Sequence, residues 1–206
     1  GACASGSLAL LAAMSDIQAG HYGTALVVGI EMMRNVPGQT AAGYLGAAAW
    51  TGHEFGDATY VWPRAFSNLT DEYDSRYGLD EAHLRHIAQV NFGNAKRNPN
   101  AQTRNYSFSN ASFTSDDEAN PVIEGRVRKT DCGQVTDGAA AVVLASSERA
   151  AEYAKARGIP LDSLPRIKGW GHRSAPISYK AKIDNSRDQT YVFPQVKRAI
   201  DDARIR

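Results

Sequence analysis

The chain has 206 residues, 43% of them hydrophobic, and a net charge of +1. That length and apolar content suit one large or two small domains with a sizeable core, and the balanced charge excludes bulk electrostatic attraction to nucleic acid or to a membrane surface. Two cysteines, Cys3 and Cys132, exclude a disulfide framework and point to a reducing compartment, and no apolar run reaches the length of a bilayer span.

Cys3 lies among small residues, Ala2-Cys3-Ala4-Ser5-Gly6, just ahead of an apolar stretch from Leu8 to Met14. The pattern predicts a cysteine on a tight turn, then a helix from about Ser5 to Ala19. Ser5 or Ser7 is the candidate cap. This helix is apolar almost all round, which predicts burial on several sides. A thiol at a helix start meets unpaired N–H groups and the positive end of the helix dipole, and both favour thiolate. On spacing alone, a single cysteine before a helix is better explained as a small buried hydrophobe. After a turn at Gly20 to Gly23, Thr24–Glu31 reads as a continuous apolar strand, the pattern of a parallel strand covered on both faces.

From Asn35 to about Arg128 the apolar periodicity weakens. Gly38 to Asp57 reads as irregular or loosely helical. Arg64 to Arg76 is helical in pattern, with Phe66, Leu69 and Tyr73 on one face and Gly78 at its end. A second helix starts behind a capping Asp80, with Leu84, Ile87 and either Ala88 or Asn91 on its apolar face. The Asn98–Asn100 turn stops it. Asn105 to Asn120 is polar and reads as a surface wrap. Asp137-Gly138 marks a turn before a buried strand, Ala139 to Ala145. Ser147 to Arg157 is a helix capped by Ser147 and ended by Gly158. A third strand is expected from Pro165 to Gly171, and a last helix from Phe193 with Pro194 in its first turn. The chain does not begin with Met and stops within or at the end of a helix, so both ends read as cut and a fragment of a longer fold is expected. The apolar opening imitates a secretory signal but lacks its basic start.

Three stretches carry a resemblance. Ala2-Cys3-Ala4-Ser5-Gly6 before its helix, the strand ending Val28-Gly29-Ile30-Glu31-Met32, and Thr136-Asp137-Gly138-Ala139-Ala140-Ala141 resemble a thiolase in order and separation. The middle, with Tyr77-Gly78, the run from Ala88 to Asn91, Asn98-Pro99-Asn100-Ala101 and Asp131-Cys132, is similar to the sterol-carrier-protein-type branch. The match runs over most of residues 1–175 and is weakest from Asn105 to Ile123. The resemblance implies an α/β thiolase fold with mixed sheets layered α-β-α-β-α, incomplete in this chain. Residues 1–160 would be the latter part of the first half, with a loop-domain insertion at about 36–127. Residues 161–206 would start the second half.

The implied activity is acyl transfer between coenzyme A thioesters, with Cys3 as the nucleophile that carries the acyl group. The implied direction is either 3-ketoacyl-CoA cleavage or acetoacetyl-CoA formation. Trp62, Pro63 and Phe66 fall where related enzymes line the pantetheine channel. Gly133 falls where many relatives place a serine beside coenzyme A, so one hydroxyl is missing here. Arg64 and Arg104 are candidates for its phosphates. The family's histidine and second cysteine belong to motifs beyond this sequence. His21, His53, His83, His86 and His172 match none of them, and Cys132 reads as a buried residue ahead of a strand. The resemblance further implies acyl-CoA as substrate rather than a bound cofactor, no metal, a homodimer or tetramer, and a cytoplasmic setting, with peroxisome or mitochondrion as the eukaryotic alternatives. The chain alone is expected to lack turnover. A non-catalytic acyl-CoA- or lipid-binding subunit and a thiolase-like retro-aldolase are the competing functions.

Overall fold

The structure is a computed structural model that describes residues 1–205. Arg206, the last residue of the stretch expected to start the second half, lies outside the described residues. A 3-10 turn at Ala2–Ala4 leads into α1 (Ser5–Gln18), β1 (Thr24–Glu31), α2 (Gly38–Gly46), α3 (Val61–Tyr77) and α4 (Glu81–Arg97). Then come β2 (Val122–Glu124), β3 (Val127–Arg128), β4 (Gly138–Ala145), α5 (Ser147–Arg157), α6 (Tyr179–Asp184) and α7 (Pro194–Ile205). Short 3-10 turns lie at Asn110–Phe113, Lys129–Asp131 and Leu161–Ser163. The chain divides into two units, one of Gly1–Asn35, Thr136–Ala175 and the residues from Phe193 onward, the other of Val36–Val135 and Pro176–Val192.

The first unit is built on β1 and β4. They pair antiparallel without a break, from Thr24 opposite Ala145 to Glu31 opposite Gly138. The expectation of a parallel, doubly covered strand is therefore corrected. β-branched content made the strand, as it should, but its partner runs the other way, and Ile30 and Val143 are 76% and 65% exposed. The same correction applies to α1, which holds no buried residue. Leu8, Leu11, Met14 and Ile17 are half-buried. A helix that is apolar on every side leaves most of its surface bare against any single neighbour.

One side chain closes the open end of the ladder. The Asp137 carboxylate accepts from the Met33 and Arg34 N–H groups at 2.7 and 2.8 Å, across the mouth between β1 and β4. The cap of α5 is Ser146, one residue ahead of the expected Ser147; its hydroxyl accepts from Arg149 N at 3.3 Å. Gly158 ends that helix in the left-handed region at φ 65. The third strand is absent: residues 164–176 form no regular element. This segment lies instead on α7. A Cβ at Gly169 would overlap the Ala203 carbonyl oxygen, and one at Gly171 that of Ala199. Glycine here permits close approach to a helix backbone rather than ladder pairing.

The second unit is held by buried polar groups as much as by apolar ones. Glu124, on β2, is buried. It accepts from the Thr59 and Tyr60 N–H groups at 2.8 and 3.1 Å, at the entry to α3, and pairs with Arg64 at 2.8 Å. An acceptor at a helix entry satisfies N–H groups that the helix cannot. Asn120, expected on a surface wrap, is fully buried at 0% exposure. It donates to the Thr114 carbonyl at 2.9 Å and accepts from the Thr130 N–H at 3.0 Å and hydroxyl at 3.2 Å. Asp80 caps α4 as expected, accepting from Ala82 N at 2.9 Å. On the inward face of α4, Ala88 is buried, one of the two expected alternatives, but Arg85 is buried too while Ile87 is 55% exposed. Arg85 can go in because Asp131 meets its charge, with Nη1 within 2.6 and 2.7 Å of the two carboxylate oxygens.

Two stability effects follow for the second unit. Asn120→Ala leaves the Thr130 N–H and the Thr114 carbonyl without partners, and is expected to cost about 2 kcal/mol in urea unfolding. Glu54 caps α6, accepting from Ser178 Oγ, Tyr179 N and Lys180 N at 2.8, 2.8 and 3.0 Å. Burial opposes its charge, but the Lys180 and Tyr179 N–H groups and the Ser178 hydroxyl outweigh burial and hold its carboxyl below the usual glutamate value. A depressed carboxylate stabilises the fold above its unfolded pKa and loses that contribution as pH falls through the folded value. Urea midpoints measured from about pH 6 to about pH 3, across the usual glutamate pKa of about 4.3, should therefore fall more steeply for the unsubstituted chain than for Glu54→Gln.

Candidate active site

The site grows from the first five residues. Ala2 has φ 43, a left-handed backbone that residues with a Cβ rarely adopt. Two local bonds hold it there. Ala4 N donates to the Gly1 carbonyl at 2.8 Å, and Ser5 Oγ donates to the Ala2 carbonyl at 2.7 Å. Gly1 is packed closely as well; a Cβ there would stand 2.6 Å from Leu8 Cδ1. Cys3 occupies the middle of the resulting 3-10 turn, directly ahead of α1, and its thiol is exposed.

The expected cap by Ser5 or Ser7 is not made. Ala4 is the N-cap residue, and no side chain caps α1. Ser5 turns its hydroxyl back onto the strained turn instead. No side chain accepts from the first-turn N–H groups of α1, of which the Ser5 N–H already donates to the Ala2 carbonyl. Backbone donors of this kind suit an oxygen that gains negative charge.

A cleft of about 430 Å³ opens at the same place. Ala4 and Ser7 line its near end, Leu8 and Leu11 continue the α1 wall, and α7 and residues 171–173 form the rest. Periodicity could not have found it, because the loop that walls it reads as a strand in the sequence. His172, which matches no family motif, lines this cleft.

The second unit holds the other candidates. Trp62 and Pro63 stand in the first turn of α3, half-buried, with the Trp62 indole N–H donating to the Leu45 carbonyl at 2.9 Å. Phe66, one turn on, is 58% exposed. Arg64 is paired with Glu124, which engages its charge within the unit, whereas Arg104 is exposed. Gly133 is exposed just after the Lys129–Asp131 turn, and a Cβ there would meet nothing within 4 Å. Its missing hydroxyl is therefore not enforced by crowding.

Cys132 contrasts with Cys3. It is half-buried, and burial, with the neighbouring Asp131 charge, pushes its thiol up. It lines a separate cleft of about 280 Å³ with Phe92, Tyr106, Phe108 and Lys129. Of the other histidines, His53 stacks on Trp50 with ring centres 4.1 Å apart, His21 lies 3.4 Å from Asp16, and His83 and His86 are exposed on α4. Among the described residues, no group of three His, Cys, Asp or Glu side chains is placed to hold a metal ion, and no helix is long and apolar enough to cross a membrane.

These features define a mixed α/β chain with an exposed, locally strained thiol at the start of a helix. Comparison with known proteins adds a direction. The chain is 28% identical over 187 residues to an acetyl-CoA acetyltransferase of Methanothermobacter thermautotrophicus, an alignment covering 90% of this chain and 45% of that protein. It is 33% identical over 154 residues to an acetyl-CoA acetyltransferase of Methanocaldococcus jannaschii, covering 74% of this chain and 37% of that protein. The chain thus spans less than half the length of these curated relatives. No family model matches it. Both of these relatives carry the name acetyl-CoA acetyltransferase.

Exposure and thiol chemistry together predict selective modification. With limiting iodoacetamide at neutral pH, peptide mapping should find Cys3 alkylated at least about tenfold faster than Cys132. Preferential labelling of Cys132 would contradict the assignment.

Proposed function

We propose that this chain is the nucleophile-bearing part of a thiolase-type acyltransferase that moves an acyl group between coenzyme A thioesters. The observation that carries the reading is the exposed Cys3 sulfur, set by a strained turn at the open start of α1. The Cys3 thiolate attacks the thioester carbonyl carbon. A new carbon–sulfur bond forms to Cys3, the bond to coenzyme A sulfur breaks, and coenzyme A leaves as a thiolate that takes up a proton. Covalent capture of this kind splits one hard step into two easier ones. The uncapped N–H groups near Cys3 suit the oxyanion of the tetrahedral centre.

In this reading acyl-CoA is substrate, and no resident cofactor or metal takes part. The sterol-carrier-type branch is the favoured subgroup on the motifs between Tyr77 and Cys132. Trp62, Pro63, Phe66 and Gly133 remain the proposed coenzyme A contacts, with both 3-ketoacyl-CoA cleavage and acetoacetyl-CoA formation open as directions. The exposed apolar residues of β1 and β4 support further structure lying over that sheet in the working enzyme, from the remaining thiolase half or from a second subunit of a homodimer or tetramer. The acid and base that complete turnover are assigned to that remainder.

The test is acyl trapping. The chain is incubated with acetyl-CoA radiolabelled in the acetyl group, quenched in acid and digested. Label is expected on the Cys3 peptide, near one equivalent, without multiple turnover, and is expected to vanish in Cys3→Ser. No label on Cys3 would refute the covalent reading and leave a non-catalytic acyl-CoA-binding role.

A further inference from the structure

We propose that Glu124, a buried carboxylate on β2, is a positioning residue that sets the coenzyme A contacts of α3; the inference rests on the acyl-transfer reading. No motif in the sequence marks Glu124, and its role is read from its bonds. It is 7% exposed, and both of its oxygens are spent at the front of α3. Oε1 accepts from the N–H groups of Thr59 and Tyr60, the last two residues before the helix, and Oε2 meets Arg64 Nη2 in the first turn. Trp62 and Pro63 lie between these anchors. A carboxylate at a helix start takes N–H groups the helix cannot satisfy and faces the positive end of the helix dipole, so it holds that end in place.

The hairpin that carries Glu124 is fastened again further along the helix. Arg126 N donates to Ser67 Oγ at 2.9 Å, and Gly125, at φ 54, comes so close that a Cβ there would overlap the Ser67 hydroxyl. Tyr60, Arg64 and Ser67 follow the spacing of one helix face, and the β2–β3 hairpin grips that face. Trp62, Pro63 and Phe66 fall outside it. The Trp62 indole N–H is given to the Leu45 carbonyl, proline has no N–H to offer, and Glu124 meets the Arg64 charge. This end of α3 therefore presents ring and hydrocarbon surface whose place is fixed from behind. Such a surface depends on its support, because a site about 1 Å too loose no longer fits its ligand.

The test is a double-mutant cycle read by titration calorimetry of coenzyme A into the whole chain. Glu124→Ala and Trp62→Ala are each expected to weaken binding at least about tenfold. The double variant should bind no more than about threefold more weakly than Trp62→Ala alone, because residues that act through one another do not add. Glu124→Gln keeps an oxygen for the Thr59 and Tyr60 N–H groups and should bind within about threefold of the unsubstituted chain. A general loosening of the unit would add to Trp62→Ala and would not be rescued by glutamine. If circular dichroism shows Glu124→Ala unfolded, Ser67→Ala, which frees the other fastening of the hairpin, takes its place in the cycle with the same non-additivity expected. Binding unchanged by the substitution used, a loss that adds in full to Trp62→Ala, or a chain that binds no coenzyme A or binds it equally after Trp62→Ala, overturns the inference, while acetyl capture at Cys3 leaves the transferase reading standing. The expected coupling without any acetyl capture overturns the transferase reading and leaves Glu124 as the support of a coenzyme A-binding surface.

Discussion

The pairing of β1 with β4 is the constraint on which the rest depends. These strands are separated by more than a hundred residues of sequence, yet their register is continuous over eight pairs. Closing a loop of that size costs only slowly more as its length grows, and an unbroken ladder of backbone hydrogen bonds repays it. Asp137 then locks the mouth of the ladder by taking two N–H groups from the opposite strand end. Both ends of the long insertion are pinned at one place, and Val36–Val135 forms, together with Pro176–Val192, a unit with its own polar core. The same ladder gives α1 a surface to lie on, and so fixes where that helix begins.

What begins there is chemically specific. A thiol gains nucleophilic use from exposure and from nearby donors, not from being a cysteine. Cys3 is exposed directly ahead of α1, whereas Cys132 is half-buried beside the Asp131 charge. Backbone strain is often kept where function needs it, and Ala2 is one of the two non-glycine residues of positive φ among those described, the other being Phe55. Ser5 is the local compensation, a hydroxyl directed to the strained turn instead of the helix it would ordinarily cap.

The sequence was informative where a signal is local and periodic. β1 begins and ends at the residues its apolar run marks, Asp80 caps α4, and Gly158 closes α5 with the left-handed backbone that glycine allows. It was misleading where the outcome depends on distant partners. An apolar run says that a strand wants cover, not whether its neighbour runs parallel or antiparallel, and β1 has an antiparallel neighbour and bare side chains. Pro165 to Gly171 has a strand's composition, but its glycines serve close packing on α7. Asn120 and Arg85 look like surface residues in a polar stretch and a polar helix; Thr130, in the next turn of chain, and Asp131, far from Arg85 in sequence, are what allow them inside. The site divides in the same way. Cys3 and its turn were legible from six residues, while the cleft beside them needs three segments brought together and carries no motif.

The central claim is that Cys3 becomes acylated at the start of α1. Crystals of the chain soaked with acetyl-CoA test it most directly, by the electron density at the two sulfurs. The account predicts continuous density from Cys3 Sγ to an acetyl carbon, with the carbonyl oxygen directed at the first-turn N–H groups of α1. An unmodified Cys3 beside intact acetyl-CoA bound elsewhere, or an acetyl group on Cys132, would contradict it.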